Sequence, residues 1–135
     1  MSQNTLAQID ALLAGKGYSV TETGPESLRI QEMDSGLSLQ AVLEGEILFF
    51  SMVCATVPSA SVTPRVMKLM LDANSGISTS HFQTFETGDN TVITLNNFCK
   101  LQDLGADDED DILSCISFLL ADVVTARDLL AADLV

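Results

Sequence analysis

Leu37-Ser38-Leu39-Gln40-Ala41-Val42-Leu43-Glu44-Gly45-Glu46-Ile47-Leu48-Phe49-Phe50-Ser51-Met52-Val53-Cys54 reads as two strands and the turn that joins them. In the first half, Leu37, Leu39, Ala41 and Leu43 point one way while Ser38, Gln40 and Glu44 point the other, the period-two alternation of a half-buried antiparallel strand. Glu44-Gly45-Glu46 is a turn of hairpin length. The second half is apolar on both faces, with Leu48, Phe50, Met52 and Cys54 on one side and Ile47, Phe49 and Val53 on the other. A strand in a one-layer sheet needs only one apolar face, so the second must meet a loop, a helix or another protein.

Upstream, Tyr18–Glu22 and Leu28–Met33 are two further strands, set apart by Gly24-Pro25 and by Asp34-Ser35-Gly36. Before them, Asn4 is placed to cap a helix over Thr5–Ala14, whose Leu6, Ile9, Leu12 and Leu13 share a face and which Gly15 and Gly17 end. Downstream, Val57-Pro58-Ser59-Ala60-Ser61 breaks the sheet pattern. Thr63 is an N-cap with Pro64 at the first helical position, and Val66, Met67, Leu69, Met70 and Leu71 give that second helix a wide apolar face, expected to fill the core. Strands over Ile77–Glu86 and Thr91–Cys99 follow, joined by Thr87-Gly88-Asp89-Asn90, with Phe82, Ile93 and Leu95 toward the core.

The last helix is predicted over Ile112–Leu134, behind the acidic run Asp107-Asp108-Glu109-Asp110-Asp111. Ile112, Ile116, Leu119, Val123, Ala126 and Leu130 form one stripe, and Leu113, Phe118, Leu120, Val124 and Leu129 widen it, so the helix is expected to be buried nearly all round. The order α-β-β-β-β-α-β-β-α predicts an α+β two-layer sandwich with an antiparallel sheet, one domain over residues 1–135.

The chain has 135 residues, 6 Lys+Arg against 19 Asp+Glu, and a net charge of −13. Its six cations, Lys16, Arg29, Arg65, Lys68, Lys100 and Arg127, are scattered, which argues against nucleic acid and against anionic membrane surfaces. No stretch approaches the roughly 20 apolar residues of a membrane span. Met1-Ser2-Gln3-Asn4 opens without the basic and apolar segments of a secretory leader. The 3 Cys cannot all pair within one chain, which suits a reducing cytoplasm.

No catalytic constellation stands out, and a non-enzymatic protein is expected. The Asp107–Asp111 run fits the positive end of a helix better than a cation loop. Cys54, Cys99 and Cys115 lack metal-ligand spacing and sit among apolar neighbours, so buried, inert thiols and no metal or cofactor are expected. The isolated glycines form no phosphate-binding loop. The one nucleophile–base combination the topology allows is Cys99 with His81, the single histidine, across adjoining strands.

Val66-Met67-Lys68-Leu69-Met70-Leu71-Asp72-Ala73-Asn74, standing before a hairpin and a long terminal helix, resembles the acidic α+β fold of the type III secretion chaperones and the YbjN-like proteins, with Leu71 and Asn74 matching their leucine-rich turn. Among small families it is similar to the YjfI-type bacterial group. The resemblance implies a cytoplasmic, acidic bacterial protein, often a homodimer, that binds another protein rather than turning over a substrate. The second helix departs from it, being less hydrophobic than a secretion chaperone's dimer helix. The leading expectation is therefore a chaperone- or adaptor-like domain, probing a partner or a second copy with Ile47, Phe49, Val53, Phe118, Leu120 and Val124. The alternatives are a regulatory domain with a small-ligand pocket between sheet and helices, and a cysteine-dependent enzyme using Cys99 and His81.

Overall fold

In the computed structural model, which describes residues 2–134 and their side chains from Thr5 onward, the chain folds as three helices and an open six-stranded sheet. The elements are α1 (Ser2–Ala14), β1 (Tyr18–Gly24), β2 (Ser27–Glu32), β3 (Ser38–Glu44), β4 (Ile47–Pro58), α2 (Pro64–Leu71), β5 (His81–Thr87), β6 (Asn90–Lys100) and α3 (Ala106–Leu130). A 3₁₀ turn, Ser59–Ser61, follows β4. The order matches the α+β reading element for element. Strands lie in the order β1-β2-β3-β4-β6-β5, and the consecutive pairs are antiparallel.

The chain divides into two compact units: one takes in the chain to Ser51 with Phe98–Ile116, the other Met52–Asn97 with the chain from Ser117. In the first, α1 packs beside β1 and buries Leu6, Ile9 and Leu13. Leu28, Ile30, Leu39, Ala41, Leu43, Leu48 and Phe50 bury alternate positions of β2, β3 and β4. Glu44 pairs with Ile47 across a two-residue loop whose first member, Gly45, has φ +61°. A positive φ at that position alone is the type II′ pattern, which Gly enters without steric cost and which matches strand twist. Gly88 repeats it between β5 and β6, at φ +63° between the paired Thr87 and Asn90.

In the second unit, Thr63 caps α2 by accepting the Val66 N–H at 3.2 Å. Arg65 reaches Asp133 at 2.9 Å. The buried carboxylate of Asp122 on α3 accepts from the Thr79 and Ser80 hydroxyls at 2.6 and 2.7 Å, fastening the coil before β5. That coil corrects one boundary, since the strand expected from Ile77 begins only at His81.

Other expectations also change. Helix α1 starts at Ser2, so Asn4 lies inside it rather than at its cap, and the Asn4 side chain lies outside the described residues. β4 continues to Pro58, through the expected breaker, because Pro as the last strand residue forfeits no ladder bond within it. The acidic run is the start of α3, not a lead-in, and the helix ends at Leu130. Nor is α3 buried all round: Ile112, Ile116, Leu119, Leu120, Val123, Ala126 and Leu130 are covered, while Ser114, Ser117, Phe118, Ala121 and Val124 face solvent. Ser114, Ser117 and Ala121 make part of that exposure inexpensive, while Phe118 and Val124 leave apolar surface in water. Helix α2 buries only Val66, and Leu71 is 82 % exposed, so its wide apolar face does not fill the core.

Candidate protein-binding surface

The alternation that sends Leu48 and Phe50 inward turns Phe49 outward, and its cross-strand partner in β3 is Val42. On the other flank of β4, Phe98 of β6 brings its ring centroid to 5.8 Å from that of Phe49, tilted by 45°. The separation lies within the roughly 4.5–7 Å at which aromatic pairs attract. Val42, Phe49 and Phe98 nevertheless remain 39 %, 38 % and 57 % exposed. Polar residues border them on one side: Gln40 is registered opposite Ser51 and Arg29, and Arg29 donates to Ser38 Oγ at 3.2 Å. An apolar centre with a polar border is a feature of protein interfaces.

Of the six residues expected to bind a partner, the first unit holds Ile47, which is half-buried, and Phe49. Val53, Phe118 and Val124 are exposed in the second unit. Leu120, at 8 % exposure, is buried and offers no surface. Sequence reasoning missed Val42 and Phe98. The available signal was their phase: each is a large apolar residue on the strand face opposite to its own core-facing residues, Leu43 in β3 and Leu95 in β6.

The charges leave little to meet a phosphate backbone. Lys16 pairs with Glu109 at 3.3 Å, Arg65 with Asp133, and Lys100 with Glu46 at 3.9 Å. Arg127 donates to the carbonyls of Val53 and Cys54, both at 3.2 Å. Around the loop into α3, the buried Asp108 carboxylate accepts the N–H groups of Gln102 and Leu104 at 2.8 and 2.7 Å, holding Leu104 at φ +57°. That loop borders an open depression of about 510 Å³ with Glu26, Leu43, Glu46, Leu101 and Asp103 in its wall.

The burial expected of the thiols holds for two of the three. Cys54 and Cys99 are buried, but Cys115 is only partly so, and it lies against Cys99. Cys115 Sγ also contacts the Phe98 carbonyl oxygen at 3.6 Å. The hydrogen bond from Cys99 to the Cys115 sulfur holds Cys115 below the usual thiol range. That same bond, burial, and the nearby Cys115, Asp111 and Asp108 push Cys99 upward. Burial alone raises Cys54 to about 11, against the opposing pull of Arg127. The Cys99–His81 combination is not assembled: His81 is registered opposite Asn96, three residues before Cys99 and out of phase with it on the strand. Among the described residues, no group of three or more His, Cys, Asp or Glu is arranged to hold a metal ion, and no helix is long and apolar enough to cross a membrane.

No family model matches the chain, and neither does any curated protein. Among solved structures it is similar to the crystal structure of YbjN, described as a candidate transcription regulator from E. coli, with a TM-score of 0.68 and 16 % identity. The match covers 96 % of this chain and 93 % of that one. At this identity the likeness is one of fold, and the fold is YbjN-like.

Proposed function

We propose that this protein is a non-enzymatic protein-binding domain, adaptor- or chaperone-like, that buries the Val42–Phe49–Phe98 face of its sheet against a second copy of itself. The observation that carries this reading is the Phe49–Phe98 contact: two rings packed on each other and both left exposed. An isologous pairing of two such faces would cover both, because each copy supplies the same patch. The YbjN-like fold, shared with a candidate regulator, supports a regulatory or adaptor role. With a charge of −13 and most cations engaged internally, the reading places any regulatory action through protein contacts, not through DNA.

Sedimentation equilibrium at rising salt tests it. Two copies at −13 each repel, so self-association through an apolar face tightens as salt shortens the screening length from about 10 Å at 0.1 M to about 3 Å at 1 M. Association that weakens with salt points to an ionic contact between copies instead of the apolar face. A protein that stays monomeric throughout overturns the proposal.

A further inference from the structure

We propose that Cys99 and Cys115 are a thiol oxidation site, joining as an intramolecular disulfide between β6 and α3 when the folded protein meets a peroxide. The two cysteines lie on consecutive elements, β6 and α3, joined by the 101–105 loop, and their side chains touch; Cys115 Sγ lies 3.6 Å from the carbonyl oxygen of the residue preceding Cys99. Sequence spacing does not signal such a pair, because Cys99 lies on a strand and Cys115 on a helix and only the fold at the junction of the two brings them together. Cys115 keeps partial access to solvent while Cys99 is buried, which separates the two roles such chemistry needs: a thiol the oxidant can reach, and a second thiol beside it. Cys54, buried and elsewhere on β4, is the internal control.

The Cys115 thiolate attacks one peroxide oxygen and the O–O bond breaks. The departing hydroxide takes the proton lost by Cys115 and leaves as water, so Cys115 becomes a sulfenic acid. The Cys99 sulfur then attacks the Cys115 sulfur, the S–O bond breaks, and the leaving hydroxide takes the Cys99 proton as a second water. Two thiols and one hydrogen peroxide thus give one disulfide and two waters. The pair stands whether or not the sheet face binds a partner.

Tryptic mapping without reduction tests it, because the three cysteines fall in three different peptides: Cys54 in 30–65, Cys99 in 69–100 and Cys115 in 101–127. The folded protein is treated with hydrogen peroxide, then alkylated in denaturant. The expected product is a monomer lacking two hydrogens, with peptides 69–100 and 101–127 covalently joined and Cys54 alkylated. In Cys99→Ala, the expected product is a sulfenic acid at Cys115, trapped by a cyclic 1,3-dione. A link that includes peptide 30–65 overturns the proposal, as does a link between chains, or a Cys115 sulfinic acid formed while Cys99 remains fully alkylatable. Mapping of the unmutated protein decides the matter even if a variant fails to fold.

Discussion

Replacing Phe98 with Thr separates what this side chain does for the fold from what it does for assembly. A whole Phe buries roughly 200 Å², so its 57 % exposure leaves about 110 Å² available to a partner, worth at most about 2.8 kcal/mol at about 25 cal/mol per Å². In an isologous dimer each copy loses it, which sets a ceiling of roughly 5 to 6 kcal/mol, close to 10⁴-fold in Kd. Burial converts poorly to affinity, so the expected weakening is at least about thirtyfold. Within the monomer, the same change removes the part already covered and the ring pair with Phe49, a loss of about 2 to 3 kcal/mol. Threonine keeps a β-branched residue in the strand. Urea unfolding monitored by circular dichroism measures the second quantity, and sedimentation equilibrium on the folded fraction measures the first. Val42→Thr, at a position already 39 % exposed where the added hydroxyl stays hydrated, repeats the assembly test with a smaller effect on folding. A dimer whose Kd is unchanged by both variants would refute the sheet face as the contact.

Other consequences are independent of assembly. Asp108→Ala leaves the Gln102 and Leu104 N–H groups without their carboxylate acceptor, and a loss of about 3 kcal/mol is expected in urea unfolding; Lys16→Ala, which breaks a surface pair with Glu109, should cost less than about 1 kcal/mol. Thr63→Ala removes the α2 cap and should cost about 1 kcal/mol by the same measurement, with β-sheet circular dichroism unchanged. Cys54 supplies a pH dependence whose sign follows from burial. Its folded pKa, about 11, lies above the 9.0 of an ordinary thiol, so its contribution is complete below about pH 9 and is lost as pH rises toward 11. At about 1.4 kcal/mol per unit the loss is at most about 3 kcal/mol, and the drop in stability between pH 8 and pH 11 should shrink by that amount in Cys54→Ala. An equal drop in both proteins would show that Cys54 does not couple to folding.

Local rules were enough for much of this molecule. Gly45 and Gly88 occupy turn positions that demand a positive φ, and Thr63-Pro64 starts a helix by satisfying one N–H and omitting another. Period-two alternation placed Leu39, Ala41, Leu43, Leu48 and Phe50 in the core, and the Ile112–Leu130 stripe marked the buried side of α3. Each of these signals involves residues within a few positions of one another, so the chain states them before it folds. The binding surface and the thiol pair are of another kind. Phe49 meets Phe98 because β6, not β5, is the neighbour of β4 in the sheet, and Cys99 meets Cys115 because the fold at the junction of β6 and α3 brings them together. Strand order and helix placement are settled by how all the apolar faces are buried together. A side chain's neighbours across strands, and whether Phe118 or Leu120 is the one left in water, follow from that collective packing and not from its own stretch of chain.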